Sequence, residues 1–98
     1  MKGRLVMRPT LLLVDDEPNM AWLLGQILGN EYNLCAASTG QEALSRMRTE
    51  KPDVALVDMH LGQEDGLQVL QELRKMDPGM PVIVLTAYAT VKSAVEAM

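Results

Sequence analysis

Three apolar runs in this chain each lead into residues that can do chemistry. Leu11-Leu12-Leu13-Val14 leads into Asp15-Asp16-Glu17, Val54-Ala55-Leu56-Val57 into Asp58, and Val82-Ile83-Val84-Leu85 into Thr86-Ala87. Brought together, the carboxylates of Asp15, Asp16 and Asp58 would repel one another, each raising its neighbours' pKa unless a cation intervened. A hard divalent ion with oxygen ligands resolves that conflict. Mg²⁺ suits a site offering one or two direct carboxylates, retained waters and a phosphate oxygen. A carboxylate beside such an ion can attack a phosphoryl group and become an aspartyl phosphate. Catalysis in that chemistry consists mostly of positioning and charge neutralisation. Asp58 is the candidate nucleophile, because it alone ends a central strand, flanked by Val57 and Met59. The Thr86 hydroxyl can donate a hydrogen bond to a phosphoryl oxygen. Taken singly, an Asp after a strand is ordinarily a helix cap or turn residue, and Asp53 and Asp77 are read that way. Acids at two strand ends with a Thr at the next point instead to a metal or phosphate site.

The elements that must position these residues alternate along the chain. After an extension over 1–9, closed by Pro9, each short continuous apolar run has the form of a strand buried on both faces. Met20, Leu23, Leu24, Ile27 and Leu28 share one face of a first helix, closed by Gly29-Asn30. A second strand runs through residues 33–37, and Ser38-Thr39-Gly40, with no acid, leads into a helix with Ala43, Leu44 and Met47 inward. Lys51-Pro52-Asp53 is a turn. After the third strand a polar, Gly-containing loop over 62–66 opens a helix marked by Leu67, Leu70, Leu73 and Met76. Asp77-Pro78-Gly79 is a strong turn signal, and Val91 onward begins a fourth helix. The order βαβαβαβα with short loops predicts an α/β fold, a parallel sheet with helices on both faces. In such sheets ligands bind beyond the carboxyl ends of the strands, near the point where strand order reverses. If the first strand lies beside the third and the third beside the fourth, the three carboxylates and the Thr hydroxyl share one crevice.

Composition bounds the function classes. The 98 residues amount to one domain or less, 48% hydrophobic, without Phe and with eight Met, so the core rests on aliphatic side chains. Net charge is −4, and the basic residues cluster only at Lys2, Arg4 and Arg8. That balance argues against direct nucleic-acid binding by this segment. The single Cys35 cannot form an internal disulfide and reads as a buried strand thiol in a reducing, cytoplasmic setting. No signal-peptide pattern follows the mildly basic start, and no apolar run approaches membrane-spanning length.

The residues resemble the receiver domain of bacterial two-component response regulators. The matching stretches are 12–17 (LLVDDE), 53–61 (DVALVDMHL), Asp65-Gly66, and 81–87 (PVIVLTA), in family order and with family-like spacing. Residues 86–88 (TAY) and 94–98 (AVEAM) resemble most the receivers of nitrogen-regulation-type activators of sigma-54-dependent transcription. The resemblance implies a flavodoxin-like, doubly wound sheet of strand order 2-1-3-4 over residues 10–98. It implies phosphorylation of Asp58, with Asp16 and Asp58 giving oxygens to Mg²⁺, or Mn²⁺ in its place. Asp15 would act through a bound water and His60 through its backbone carbonyl, the imidazole facing solvent. Thr86 would be the switch residue that reorients toward the phosphoryl group, and the Ala87 N–H would approach it. The implied partners are a sensor histidine kinase and, in a full-length protein, a transcriptional output region of AAA+ and DNA-binding units.

Two departures from the family pattern carry consequences. Gly62 stands where many relatives have Pro, leaving a more permissive backbone. The fifth strand, with its phosphoryl-pairing Lys, and the fifth helix are missing from this sequence. Lys92 belongs to the fourth helix pattern and does not replace that Lys. The expectation is a fragment of a longer regulator whose fourth strand presents an apolar edge, favouring a homodimer. Three rival readings stand beside this one. A receiver-like interaction module that is never phosphorylated fits the absent Lys. A metal-dependent phosphohydrolase would place a second Asp where this chain has His60. A nucleotide-binding fold would need a Gly-rich phosphate loop that the chain lacks.

Overall fold

The computed structural model describes residues 7–85. Four strands form one parallel sheet: β1 (Thr10–Val14), β2 (Asn33–Ala37), β3 (Val54–Asp58) and a last strand, β6 (Val82–Leu85). Their spatial order is β2-β1-β3-β6, with β2 and β6 outermost among the described residues. This is the expected 2-1-3-4 arrangement. Three helices of 11 residues each connect them: α1 (Pro18–Leu28), α2 (Gly40–Glu50) and α3 (Gly66–Met76). The polar loop after β3 is more ordered than its composition suggests. It holds a two-stranded antiparallel hairpin, β4 (His60–Leu61) and β5 (Glu64–Asp65).

Strand alternation divides the apolar residues between two faces. Leu12, Val14, Ala55 and Val57 pack with Ala43 and Met47 of α2 and with Val69 and Leu73 of α3. Leu11, Leu13 and Leu56 turn to the other face, against Met20, Leu24 and Leu28 of α1. Full burial of a side chain such as Leu12 or Leu73 contributes about 1.5–3 kcal/mol. β1 is buried along residues 11–14 because both faces of the sheet are covered there. At its start, Asp53 accepts from the Thr10 N–H at 2.7 Å and locks β1 to β3. Asp77 accepts from the Gly79 N–H at 3.2 Å. Both acids are turn residues, as their contexts predicted. Arg8 donates to the Gly29 carbonyl at 2.8 Å, tying the residues before β1 to the end of α1.

Two predicted helix faces need correction. In α1, Met20, Leu24 and Leu28 form one i, i+4 row against the sheet, while Leu23 and Ile27 lie in the adjacent row and are 45% and 61% exposed. In α3 the buried row is Gly66, Val69 and Leu73, and Leu67 and Met76 are exposed. The sequence stripe missed this rotation because Gly66 has no side chain to register in an apolar pattern, yet its backbone contact orients the helix. The Ala43, Leu44 and Met47 face of α2 packs as expected. Gly29 ends α1 in right-handed helical geometry, its N–H on the Gly25 carbonyl. Cys35 is half-buried beside the larger core, and burial raises its thiol pKa. Trp22 is exposed. Among the described residues no helix is long and apolar enough to cross a membrane. Thr86, Ala87, Lys92 and the fourth helix lie outside the described residues.

Candidate functional site

The strand order decides which side chains meet. β1 and β3 are direct neighbours, with Val14 opposite Val57, so Asp15 and Asp58 leave the same end of the sheet side by side. The Asp15 N–H donates to the Ala37 carbonyl at 2.9 Å, extending the β1–β2 ladder by one bond before the chain turns. Its Oδ1 then accepts from the Glu17 N–H at 2.8 Å, the side-chain turn that Asp favours. Glu17 is the N-cap of α1, accepting from the Asn19 N–H at 3.2 Å, with Pro18 in the first helical position. Glu17 therefore starts the helix, and Asp16 is left exposed at the rim.

Asp58 closes β3 opposite Leu85 of β6. Its Oδ1 accepts from the His60 N–H at 3.1 Å, which orients the carboxylate. The Met59 N–H donates to the Leu85 carbonyl at 2.9 Å, and the Met59 carbonyl accepts from the Gly66 N–H at 3.1 Å. A Cβ on Gly66 would collide with the Asp58 carbonyl oxygen and would stand 2.7 Å from the Met59 Cα. Only glycine lets α3 start this close to the end of β3. The hairpin turns at Gly62, whose φ of 60° is in the left-handed region. Gly62 fulfils the permissive-backbone expectation, and it sits beside Asp16, whose Oδ2 would lie 3.6 Å from an added Cβ. Leu61 is buried in the larger core and Asp65 caps α3 through the Leu67 N–H at 3.0 Å.

Asp15, Asp16 and Asp58 each offer a carboxylate oxygen, and these oxygens lie within 4.8 Å of one another. Burial raises the pKa of Asp15; the Glu17 N–H opposes that shift, and the charges of Asp58 and Asp16 add to it. Such a cluster has the donor set of a hard divalent cation: oxygen ligands only, and partial exposure that admits water. A cation at this point would remove the repulsion that the three acids otherwise impose. The residues therefore fit the metal that the sequence suggested.

Of the residues singled out in the sequence, the structure brings together Asp15, Asp16 and Asp58, and His60 joins them through its backbone N–H with its side chain exposed. Thr86 and Ala87 are outside the described residues. Sequence reasoning missed the role of Glu64, whose Oε1 accepts from the Gly40 N–H at 2.9 Å. No local pattern marks that bond, since its partners are 24 residues apart. It also passed over the Ser38-Thr39-Gly40 strand end as plain. There Thr39 caps α2 by accepting from the Glu42 N–H at 3.1 Å, and Glu42 reaches back to the Ser38 N–H at 2.7 Å. The cap has a legible signal, a Thr followed three residues later by Glu, although Glu42 reaches the residue before the cap and not Thr39 itself.

Comparison with known proteins places this arrangement in context. The family described as "Response regulator receiver domain" matches residues 11–98. The chain is 43% identical over 88 residues to the transcriptional regulatory protein GlrR of Escherichia coli (strain K12), covering 89% of this chain and 20% of that protein. It is 36% identical over 89 residues to the transcriptional regulatory protein ZraR of the same organism, covering 90% of this chain and 20% of ZraR. The chain thus spans about 20% of the length of these curated relatives. Among solved structures it is similar to a CheY-like response regulator receiver domain protein from Methanospirillum hungatei JF-1, with a TM-score of 0.79 and 32% identity over 91% of this chain and 72% of that one. It is also similar to NtrX from Brucella abortus, solved with ADP, with a TM-score of 0.82 and 29% identity over 93% of this chain and 21% of NtrX.

Proposed function

The chain belongs to the response regulator receiver domain family, and from that premise we propose that it is a phosphoacceptor switch in which Asp58 takes a phosphoryl group from a sensor histidine kinase. The observation that carries the reading is the meeting of Asp15, Asp16 and Asp58 oxygens within 4.8 Å at the ends of adjacent strands. Mg²⁺, or Mn²⁺ in its place, would neutralise the acids and the incoming phosphoryl oxygens. Asp16 and Asp58 would hold that ion, with Asp15 through a water and the His60 backbone carbonyl completing the set. Asp58, oriented by the His60 N–H, attacks phosphorus through a carboxylate oxygen. The bond from phosphorus to the kinase histidine breaks, and water later hydrolyses the acyl phosphate.

The Thr86 hydroxyl and the Ala87 N–H receive the phosphoryl oxygens in this reading, and their rearrangement passes the change to partner surfaces as a shift in population. The relatives named transcriptional regulatory proteins are much longer than this chain. That supports an output region that controls transcription; the resemblance adds AAA+ and DNA-binding units in the nitrogen-regulation-type pattern and a cytoplasmic setting to the same proposal. Transfer from a phosphorylated histidine-kinase core tests the proposal. A Mg²⁺-dependent label that hydroxylamine removes, and that Asp58→Asn lacks, is the expected result. Equal labelling of the Asp58→Asn variant would overturn the assignment.

A further inference from the structure

The hairpin after Asp58 is fixed at its base and along one strand: the Gly66 N–H bonds the Met59 carbonyl, and Leu61 is buried in the larger core. Among the described residues the outer strand has one long-range hydrogen bond. Glu64 Oε1 accepts from the Gly40 N–H at 2.9 Å, across 24 residues, at the first helical position of α2. Gly40 is buried, and its N–H is one of those that a helix start leaves without an intrahelical acceptor. A carboxylate is the favoured partner at that end of the helix, for its charge as well as its lone pairs. The turn of the same hairpin, Gly62, lies beside Asp16, and its first residue, His60, holds the Asp58 carboxylate through its N–H. The hairpin therefore connects α2 to two of the three clustered acids.

We propose that Glu64 is a positioning residue for the cation site: by anchoring the hairpin to the start of α2, it sets where the His60 segment and Gly62 stand relative to Asp58 and Asp16. This rests on the metal-dependent reading above. Glu64 touches neither the phosphoryl group nor the ion, and it acts through the backbone that carries His60. Its charge and its reach are separable. Asp keeps the charge but is one methylene too short to keep the bond, whereas Gln keeps an oxygen acceptor at the same reach and loses the charge.

The test uses the 98-residue chain with Glu64→Asp and Glu64→Gln, read by calorimetric titration with MgCl₂ and by hydrogen exchange of the Gly40 amide without metal. Glu64→Asp is expected to weaken Mg²⁺ binding about tenfold, the scale of an outer partner of a metal ligand, and to speed Gly40 exchange. Glu64→Gln retains both properties to within about twofold, because its amide oxygen still accepts. In both variants the buried sheet amides of Leu12 and Val57 exchange at the parental rate, which a general loss of structure would not allow. Parental affinity in Glu64→Asp, or weakening in Glu64→Gln alone, would overturn the proposal and leave the metal site standing. Failure of the parent chain to bind Mg²⁺ at all would overturn the metal reading itself and the role of Glu64 with it.

Discussion

Asp15 and Asp58 leave adjacent parallel strands at the same end of the sheet and bring carboxylate oxygens within 4.8 Å of each other, with Asp16 completing the group. Burial and the neighbouring charges raise the Asp15 pKa, so the acids oppose the fold when no cation is present. Asp58→Asn removes one charge and keeps an oxygen for the His60 N–H. Without metal, it is expected to raise stability by roughly 1 kcal/mol, after screening at a half-exposed site. For a domain of this size that is about 4–8 °C in melting temperature. Thermal unfolding in EDTA measures it, and a lower melting temperature in the variant would contradict the repulsion argument.

Mg²⁺ should reverse that order. An ion that binds only the folded chain stabilises it by about 2.7 kcal/mol at a hundred times its Kd. The parent chain is expected to gain this with MgCl₂, while Asp16→Asn gains much less. Melting curves across a MgCl₂ series check both, with NaCl matched for ionic strength. Equal gains in the two chains would mean that Asp16 is not a ligand.

Two glycines of the hairpin region should differ sharply in tolerance. Gly66→Ala drives a Cβ into the Asp58 carbonyl and the Met59 backbone, which should cost about 2–4 kcal/mol, within the range of overpacking and backbone strain. Gly62→Ala meets open space apart from Asp16 and suffers only its φ of 60°, costing about 1–2 kcal/mol. Urea titration ranks the two, and a larger loss at Gly62 would contradict the packing described for α3.

Acid stability carries a signature of the α2 cap. The Ser38 N–H and hydroxyl donate to Glu42 at 2.7 and 3.1 Å and hold its carboxyl below the ordinary value of 4.5, with Arg46 assisting. The unfolded chain binds that proton more tightly than the folded one. The contribution is therefore fully present above pH 4.5 and is lost as pH falls through the lowered folded value. Glu42→Gln should be less stable than the parent at neutral pH, with the gap closing in acid. A gap that stays constant on acidification would rule out the carboxylate as its source.

Much of this was legible in the residues because burial on both faces writes a strand as a continuous apolar run. Leu11-Leu12-Leu13-Val14 and Val54-Ala55-Leu56-Val57 announced two adjacent strands, and the acids after them announced the cluster. What the sequence hid depends on contacts without a local pattern. Glu64 meets Gly40 only after the sheet has formed. The rotation of α3 is set by Gly66, which periodicity cannot weigh, so the spacing of Leu67, Leu70 and Leu73 does not reveal that Gly66, Val69 and Leu73 form the buried row. Leu23 and Ile27 continue the apolar stripe of α1, but only the row of Met20, Leu24 and Leu28 reaches the sheet. The β4–β5 hairpin is two residues per strand, too short for alternation to register.

The most direct test of the central claim is the intact mass of the chain after incubation with a small-molecule phosphodonor, with and without Mg²⁺, beside Asp58→Asn. One phosphoryl adduct that requires Mg²⁺ and is absent from the variant is the expected result. An adduct that survives Asp58→Asn, or no adduct on the parent chain with Mg²⁺ present, would contradict it.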